Sequence, residues 1–211
     1  MLPAQEKSFP PEGFVYLKEH VPEVELEVRY HGKHNFMGRP VAGYNKPVII
    51  ISREAAEALK GVVADLQPKG YSLKVFDAYR PQRAINDFTR WAQELNDTLM
   101  KREFYPELDK GQLFNQGYIA RRSGHSRGST IDLTLVNLKS KCEVDMGSTY
   151  DFFGEISHHG SGKISAQQQA NRNLLKDVMI KHGFRLYTKE WWHYTLNKEP
   201  FPETYFDFPV E

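Results

Sequence analysis

Apolar positions along this chain recur in two periods, and the switches between them predict its elements. The run Thr130-Ile-Asp-Leu-Thr-Leu-Val136 is β-branched and alternates, which predicts a strand. Ile131, Leu133 and Leu135 share an apolar face that belongs to a core. Asp132, Thr134 and Val136 share the other, so Asp132 is expected to face a pocket or solvent. Trp191-Trp-His-Tyr-Thr-Leu196 reads as a second strand, with His193 and Thr195 on one face and Trp192 and Tyr194 on the other. Glu190 has the wrong parity to lie beside His193 in a regular strand. It is expected at the turn entering that strand, leaning over the same face. Further strands are expected at Phe14-Val-Tyr-Leu17, Glu25-Leu-Glu-Val-Arg-Tyr30 and Tyr71-Ser-Leu-Lys-Val-Phe76, with a short apolar run at Val48-Ile-Ile-Ile51.

Helical spacing follows Ser52, a capping residue with Glu54 in the first turn. Ala55, Ala58, Leu59, Val62, Val63 and Leu66 mark the inward stripe, and Pro68 and Gly70 end the helix. Pro81 suits the first position of a second helix running through Ala84, Ile85, Phe88 and Trp91. A third is expected from about Ala166 to His182, with Leu174, Leu175, Val178 and Met179 inward and Gly183 as its C-cap. Residues 1–13 read as an extended, proline-containing arm. The loop from His31 to Asn45 is long, residues 97–122 read as a helical excursion, and residues 137–165 are irregular and glycine-punctuated.

These elements describe an α+β chain: one domain over residues 1–211, with a mainly antiparallel sheet flanked by helices. The candidate chemistry lies on the open sheet face. Charge changes this picture little. Lys and Arg number 28 against 27 Asp and Glu, and the signs are interspersed. The net charge of +1 leaves no nucleic-acid or membrane-surface footprint. No apolar run approaches the ~18 residues of a membrane helix. The single cysteine, Cys142, excludes an intrachain disulfide and reads as an inert thiol. The start of the chain lacks the apolar centre of a signal peptide, so the expected location is cytoplasmic, or periplasmic if a leader has been removed. Nothing in the pattern sets an oligomeric state.

The chemistry concentrates in Ser123-Gly-His-Ser-Arg-Gly-Ser-Thr-Ile-Asp132 and Glu190-Trp-Trp-His193. His125, Asp132 and His193 are two imidazoles and a carboxylate, and Glu190 is a spare carboxylate three residues before the last. A catalytic zinc site uses three protein ligands, an open position for water and a nearby general base. Gly124 and Gly128 bracket a bend that lets His125 project. Arg80 has no local reason to precede a helix, where a cation is unfavourable by roughly 0.3–1 kcal/mol. Asp77 and Asp87 are its candidate surface partners. His31 and His34 read as polar loop residues. The flexible surroundings of His158 and His159 argue against a second metal site there.

The Ser-x-His-x-x-Gly-x-x-x-Asp-Leu-Thr segment, with Glu-Trp-Trp-His-Tyr downstream, resembles the VanX-type D-alanyl-D-alanine dipeptidases. That family is related to the zinc D-Ala-D-Ala carboxypeptidases and shares a metal-site fold with the hedgehog signalling domain. Arg29-Tyr30, Asn35-Phe36-x-Gly38-Arg-Pro40, Asp77-Ala-Tyr-Arg-Pro81 and Asp145-Met-Gly-x-x-Tyr-Asp-Phe-Phe153 match further blocks. The likeness therefore runs from about Tyr16 to Leu196. Thr130 departs from the family's usual Ala without touching a ligand position. The resemblance implies one zinc per chain on His125, Asp132 and His193, Glu190 as general base and Arg80 steadying the oxyanion. It implies Asp151 and Tyr30 at the substrate's ammonium end and Ser123 in the substrate-binding wall. The implied substrate is the small dipeptide D-Ala-D-Ala. A role in vancomycin resistance, in D-alanine recycling from the cell wall or in nutrient use fits equally. Two other readings stay open: a zinc D,D-carboxypeptidase acting on longer peptidoglycan peptides, and a non-catalytic zinc-bearing binding module. Intact Glu190 and Arg80 weigh against the second of these.

Overall fold

The computed structural model describes residues 9–211; most of the expected N-terminal arm, residues 1–8, lies outside them. A five-stranded sheet organises the chain in the order β2 (Glu25–Leu26), β4 (Tyr71–Asp77), β5 (Thr130–Asn137), β7 (Glu190–Leu196), β6 (Phe184–Tyr187). Only the β2–β4 pair is parallel. A separate antiparallel pair joins β1 (Phe14–Tyr16) to β3 (Ile50–Ser52). Helices α2 (Arg53–Leu66) and α5 (Ala166–Lys181) pack on each other and on the sheet, and one continuous core runs through all of these elements. Two one-turn helices, α1 (Leu17–His20) and α4 (Lys101–Phe104), and the longer α3 (Gln82–Gln93) complete the frame.

The alternation in β5 produces the expected faces, but both are buried: Asp132 is 2% exposed and Thr134 1%. Asp132 looks into a cavity rather than into solvent. The expected strand from Glu25 to Tyr30 is cut to two residues. The amide of Asn35 donates to the carbonyls of Arg29, Gly32 and Arg39, so the chain curls around that side chain instead of extending. Ser52 occupies the N-cap of α2, yet its hydroxyl pairs with Ser129 Oγ at 2.7 Å rather than capping. Pro81 sits at the N-cap of α3, one position earlier than expected, because its backbone is still extended at ψ 149°.

Within α2 it is Ala56, not Ala58, that is fully buried, and within α5 Leu174 is only half-buried while Arg172 is fully enclosed. The helical excursion expected over 97–122 reduces to α4 and a single 3-10 turn at Lys110–Gln112. None of the described helices is long and apolar enough to cross a membrane.

Candidate active site

Three elements bring the metal donors together. β5 and β7 pair in register so that Asp132 lies opposite His193. His125 comes from a 3-10 turn, Gly124–Arg127, closed by Gly128 at φ +86°; a Cβ there would lie 2.3 Å from the Phe14 ring. A bulge in β4 at Phe76 sets Asp77 opposite Asp132 on the other side of β5, as bulges beside active sites do.

His125 Nδ1 donates to the carbonyl of Ala78 at 2.7 Å, which turns Nε2 toward the cavity. Nε2 lies 3.3 Å from His193 Nδ1 and 3.4 Å from Asp132 Oδ2, and His193 Nδ1 lies 3.1 Å from Asp132 Oδ1. Tetrahedral ligands ~2.0–2.1 Å from a common centre stand about 3.3–3.4 Å apart. The three donors therefore fit one zinc-sized cation. Asp132 Oδ1 is buried and accepts no hydrogen bond, a state that a bound cation resolves. Among the described residues these three form the metal-compatible cluster, and His31, His34, His158 and His159 are not part of it. His34 instead contacts Glu103, and His158 lies 3.2 Å from the Tyr118 hydroxyl. Burial raises the Asp132 carboxyl, but the two neighbouring histidines outweigh it and hold the group below the usual carboxylate range.

Glu190 reaches the same face despite its parity. Leu186 pairs with Tyr194, and the next pair is Tyr187 with Glu190, so β7 bulges between them. Its Oε2 lies 3.5 Å from His193 Nδ1. Burial pushes its pKa up to about 7, with His193 opposing and Asp132 adding to the shift. Such a carboxyl exchanges a proton near neutrality.

Arg80 is not the surface residue that its position before α3 allows. Its side chain is 11% exposed, its Nε donates to Asp77 Oδ2 at 2.8 Å and its Nη2 to Asp132 Oδ2 at 3.4 Å. The guanidinium lies 5.0 Å from the Tyr30 ring centre and 5.2 Å from that of Phe88. Asp87 is taken by Arg39 and Arg90.

At the other end stands Asp151, 5% exposed and at φ +60°, a left-handed conformation that Asp tolerates. It is no solvated loop aspartate. Tyr30 donates to its Oδ2 at 2.9 Å, and burial together with the charge of Asp132 raises its pKa well above the ordinary carboxylate value. The Tyr150 hydroxyl lies 3.0 Å from that of Tyr30 and 3.2 Å from Asp132 Oδ2, so two phenols in series, Tyr150 and Tyr30, link the two carboxylates. Ser123 is the N-cap of the His125 turn and accepts from the His125 amide at 3.3 Å.

Tyr30, Arg80, Ser123, His125, Asp132, Asp151, Glu190 and His193 all line one cavity of about 290 Å³. Phe36, Phe88, Tyr118, Phe153 and Tyr187 supply much of its apolar wall. Sequence pattern leaves these aromatics in the core or unassigned, and it gives Tyr150 no role. Tyr150 shows there only as a letter in the block before Asp151, because nothing local says where a phenol points.

The peptidase M15 family, described as D-Ala-D-Ala dipeptidase, matches residues 11–211. The D-alanyl-D-alanine dipeptidase of Enterococcus faecium is 43% identical over 94% of this chain and 98% of its own length. That of Streptomyces coelicolor is 40% identical over 93% of this chain and 98% of its own. That of Escherichia coli is 31% identical over 83% of this chain and 80% of its own. With a zinc-compatible donor set, a half-buried carboxyl tuned to neutrality and a likeness spanning nearly its whole length, this chain belongs to the M15 family of D-Ala-D-Ala dipeptidases.

Proposed function

We infer that this chain hydrolyses the dipeptide D-Ala-D-Ala to two D-alanines as a zinc-dependent peptidase. The observation that carries this reading is a single small cavity with a metal-compatible trio beside Glu190 on one wall and the buried Asp151–Tyr30 pair on another. At about 290 Å³ it lies at the small end of ligand pockets, which suits a dipeptide rather than a long chain. His125, Asp132 and His193 would hold the zinc, which would supply Lewis acidity and lower the pKa of water toward ~7.

Glu190 takes the proton of the attacking water and returns it to the leaving amine; a pKa of about 7 suits both transfers. Arg80, held between Asp77 and Asp132, faces the oxyanion that develops on the scissile carbonyl. The dipeptide's ammonium supplies the opposite charge that answers Asp151, and Tyr30 keeps that carboxylate aimed. Ser123 forms part of the wall against which the substrate lies. We place all of this in a single domain over residues 1–211. We propose a cytoplasmic location, with which a lone, exposed thiol such as Cys142 is compatible. Zinc-loaded protein given D-Ala-D-Ala should release two D-alanines per dipeptide, and chelation should stop the release. No D-alanine from the loaded protein would overturn the reading.

A further inference from the structure

We propose that Arg122 receives the carboxylate of the dipeptide and so makes the enzyme selective for a free C-terminus. This rests on the dipeptidase reading above. A free dipeptide is a zwitterion, and a small cavity that encloses it must answer both charges. The ammonium has Asp151. For the carboxylate the cavity wall offers two cations, the largely buried Arg80 and, at the exposed rim, Arg122. Arg80 is already shared between Asp77 and Asp132. Arg122 has no carboxylate partner among the described residues, although the surface carries an ion pair for many of its other arginines.

The backbone on either side of it is held by the fold. Gln82, in the first turn of α3, donates to the carbonyl of Arg121 at 3.1 Å, and Ser123 opens the His125 turn immediately after. The guanidinium lies 5.0 Å from the ring centre of Tyr205. That ring is itself held: the Tyr205 hydroxyl accepts from Arg127 at 3.3 Å, and Arg127 is clamped by Glu199 with two contacts of 2.8 Å. The tail continues by donating from the Phe206 amide to the carbonyl of Ser126 at 2.9 Å. The C-terminal tail thus presents an aromatic rest for an arginine three residues before a metal donor. Stacking on an aromatic face limits the rotamers that Arg122 would otherwise sample, while its donor edges stay available to a bidentate carboxylate.

The test compares kcat/KM on D-Ala-D-Ala and on its C-terminal amide, D-Ala-D-Ala-NH2, for the zinc-loaded wild type, Arg122→Ala and Arg122→Lys. The wild type should prefer the free acid by roughly ten- to a hundredfold, the worth of a hydrogen bond to a charged group. Arg122→Ala should lose most of that preference through a higher KM on the acid, with kcat and the amide nearly unchanged. Arg122→Lys should recover part of it. An equal loss on both substrates, a loss confined to kcat, or no loss at all would overturn the assignment. Absence of wild-type activity on the free dipeptide would instead overturn the dipeptidase reading beneath it.

Discussion

On the metal side of the cavity, Asp132 and His193 are ladder partners across β5 and β7, and Asp77 pairs with Asp132 from β4. On the side where we place the substrate's ammonium, Asp151 sits in an irregular stretch with no strand partner, at a left-handed φ. The first wall is positioned by backbone hydrogen bonds, which repeat and tolerate side-chain change. The second is positioned by side chains. Arg172 of α5, wholly buried, donates to the carbonyls of Met146, Ile156 and His158 at 2.6, 2.9 and 3.0 Å. Ser157 Oγ donates to the carbonyl of Phe152 at 2.6 Å, and Trp191 Nε1 to Ser148 Oγ at 2.9 Å. The Ser165–Gln168 capping box starts α5 at the point where this stretch ends. Irregular backbone can be as fixed as a ladder, but its fixing points are few, and losing one is felt across the segment.

The largest effects should come from the metal wall, and they separate two kinds of loss. His125→Ala, Asp132→Ala and His193→Ala should each lose most of the zinc by elemental analysis, and activity with it. Glu190→Gln should keep its zinc and lose roughly 10²–10⁴-fold in kcat. Glu190 acts as a base only when ionised, so wild-type kcat/KM should fall as pH drops through its pKa. That acid limb should lie at or below about 7, because a bound cation favours the carboxylate. Zinc loss from Glu190→Gln would make the glutamate a ligand, and a ligand variant with full zinc would remove that residue from the metal wall.

The ammonium wall should fail differently. Arg172→Ala strands three buried carbonyls and is expected to destabilise the fold by roughly 3–5 kcal/mol, seen as a lower denaturation midpoint. In the fraction that remains folded, zinc should stay bound while KM for the dipeptide rises, since the stretch carrying Asp151 has lost its main anchor. Zinc loss with unchanged KM would mean that the two walls are not separately built.

This difference also explains how far the sequence can be read. β5 and β7 write their faces into alternation, so the ligand trio and the odd parity of Glu190 are legible in the order of residues alone. The bulge that resolves that parity is not, because it depends on where β6 pairs with β7. The helices are legible from their stripes, apart from the enclosure of Arg172, a residue whose charge normally argues for solvent. The end of the strand expected up to Tyr30 curls away where Asn35 captures the carbonyl of Arg29 together with those of Gly32 and Arg39, contacts that no periodicity encodes. The role proposed for Asp151 comes from family resemblance. Its burial, its φ and its link through Tyr30 and Tyr150 to Asp132 are tertiary facts.

The claim that the ammonium wall closes the cavity around a free dipeptide is tested most directly with N-acetylated D-Ala-D-Ala. Acetylation removes the cation that Asp151 is proposed to answer and adds bulk to a cavity lined by Tyr30 and Phe153. An unpaired buried charge costs about 3–5 kcal/mol, equivalent to a discrimination of roughly a hundred- to several-thousand-fold. The account predicts rapid hydrolysis of D-Ala-D-Ala, almost none of the acetylated form, and a narrower gap in zinc-replete Asp151→Ala. Comparable kcat/KM on the free and acetylated dipeptides would contradict it and point to an open cleft acting on longer peptides.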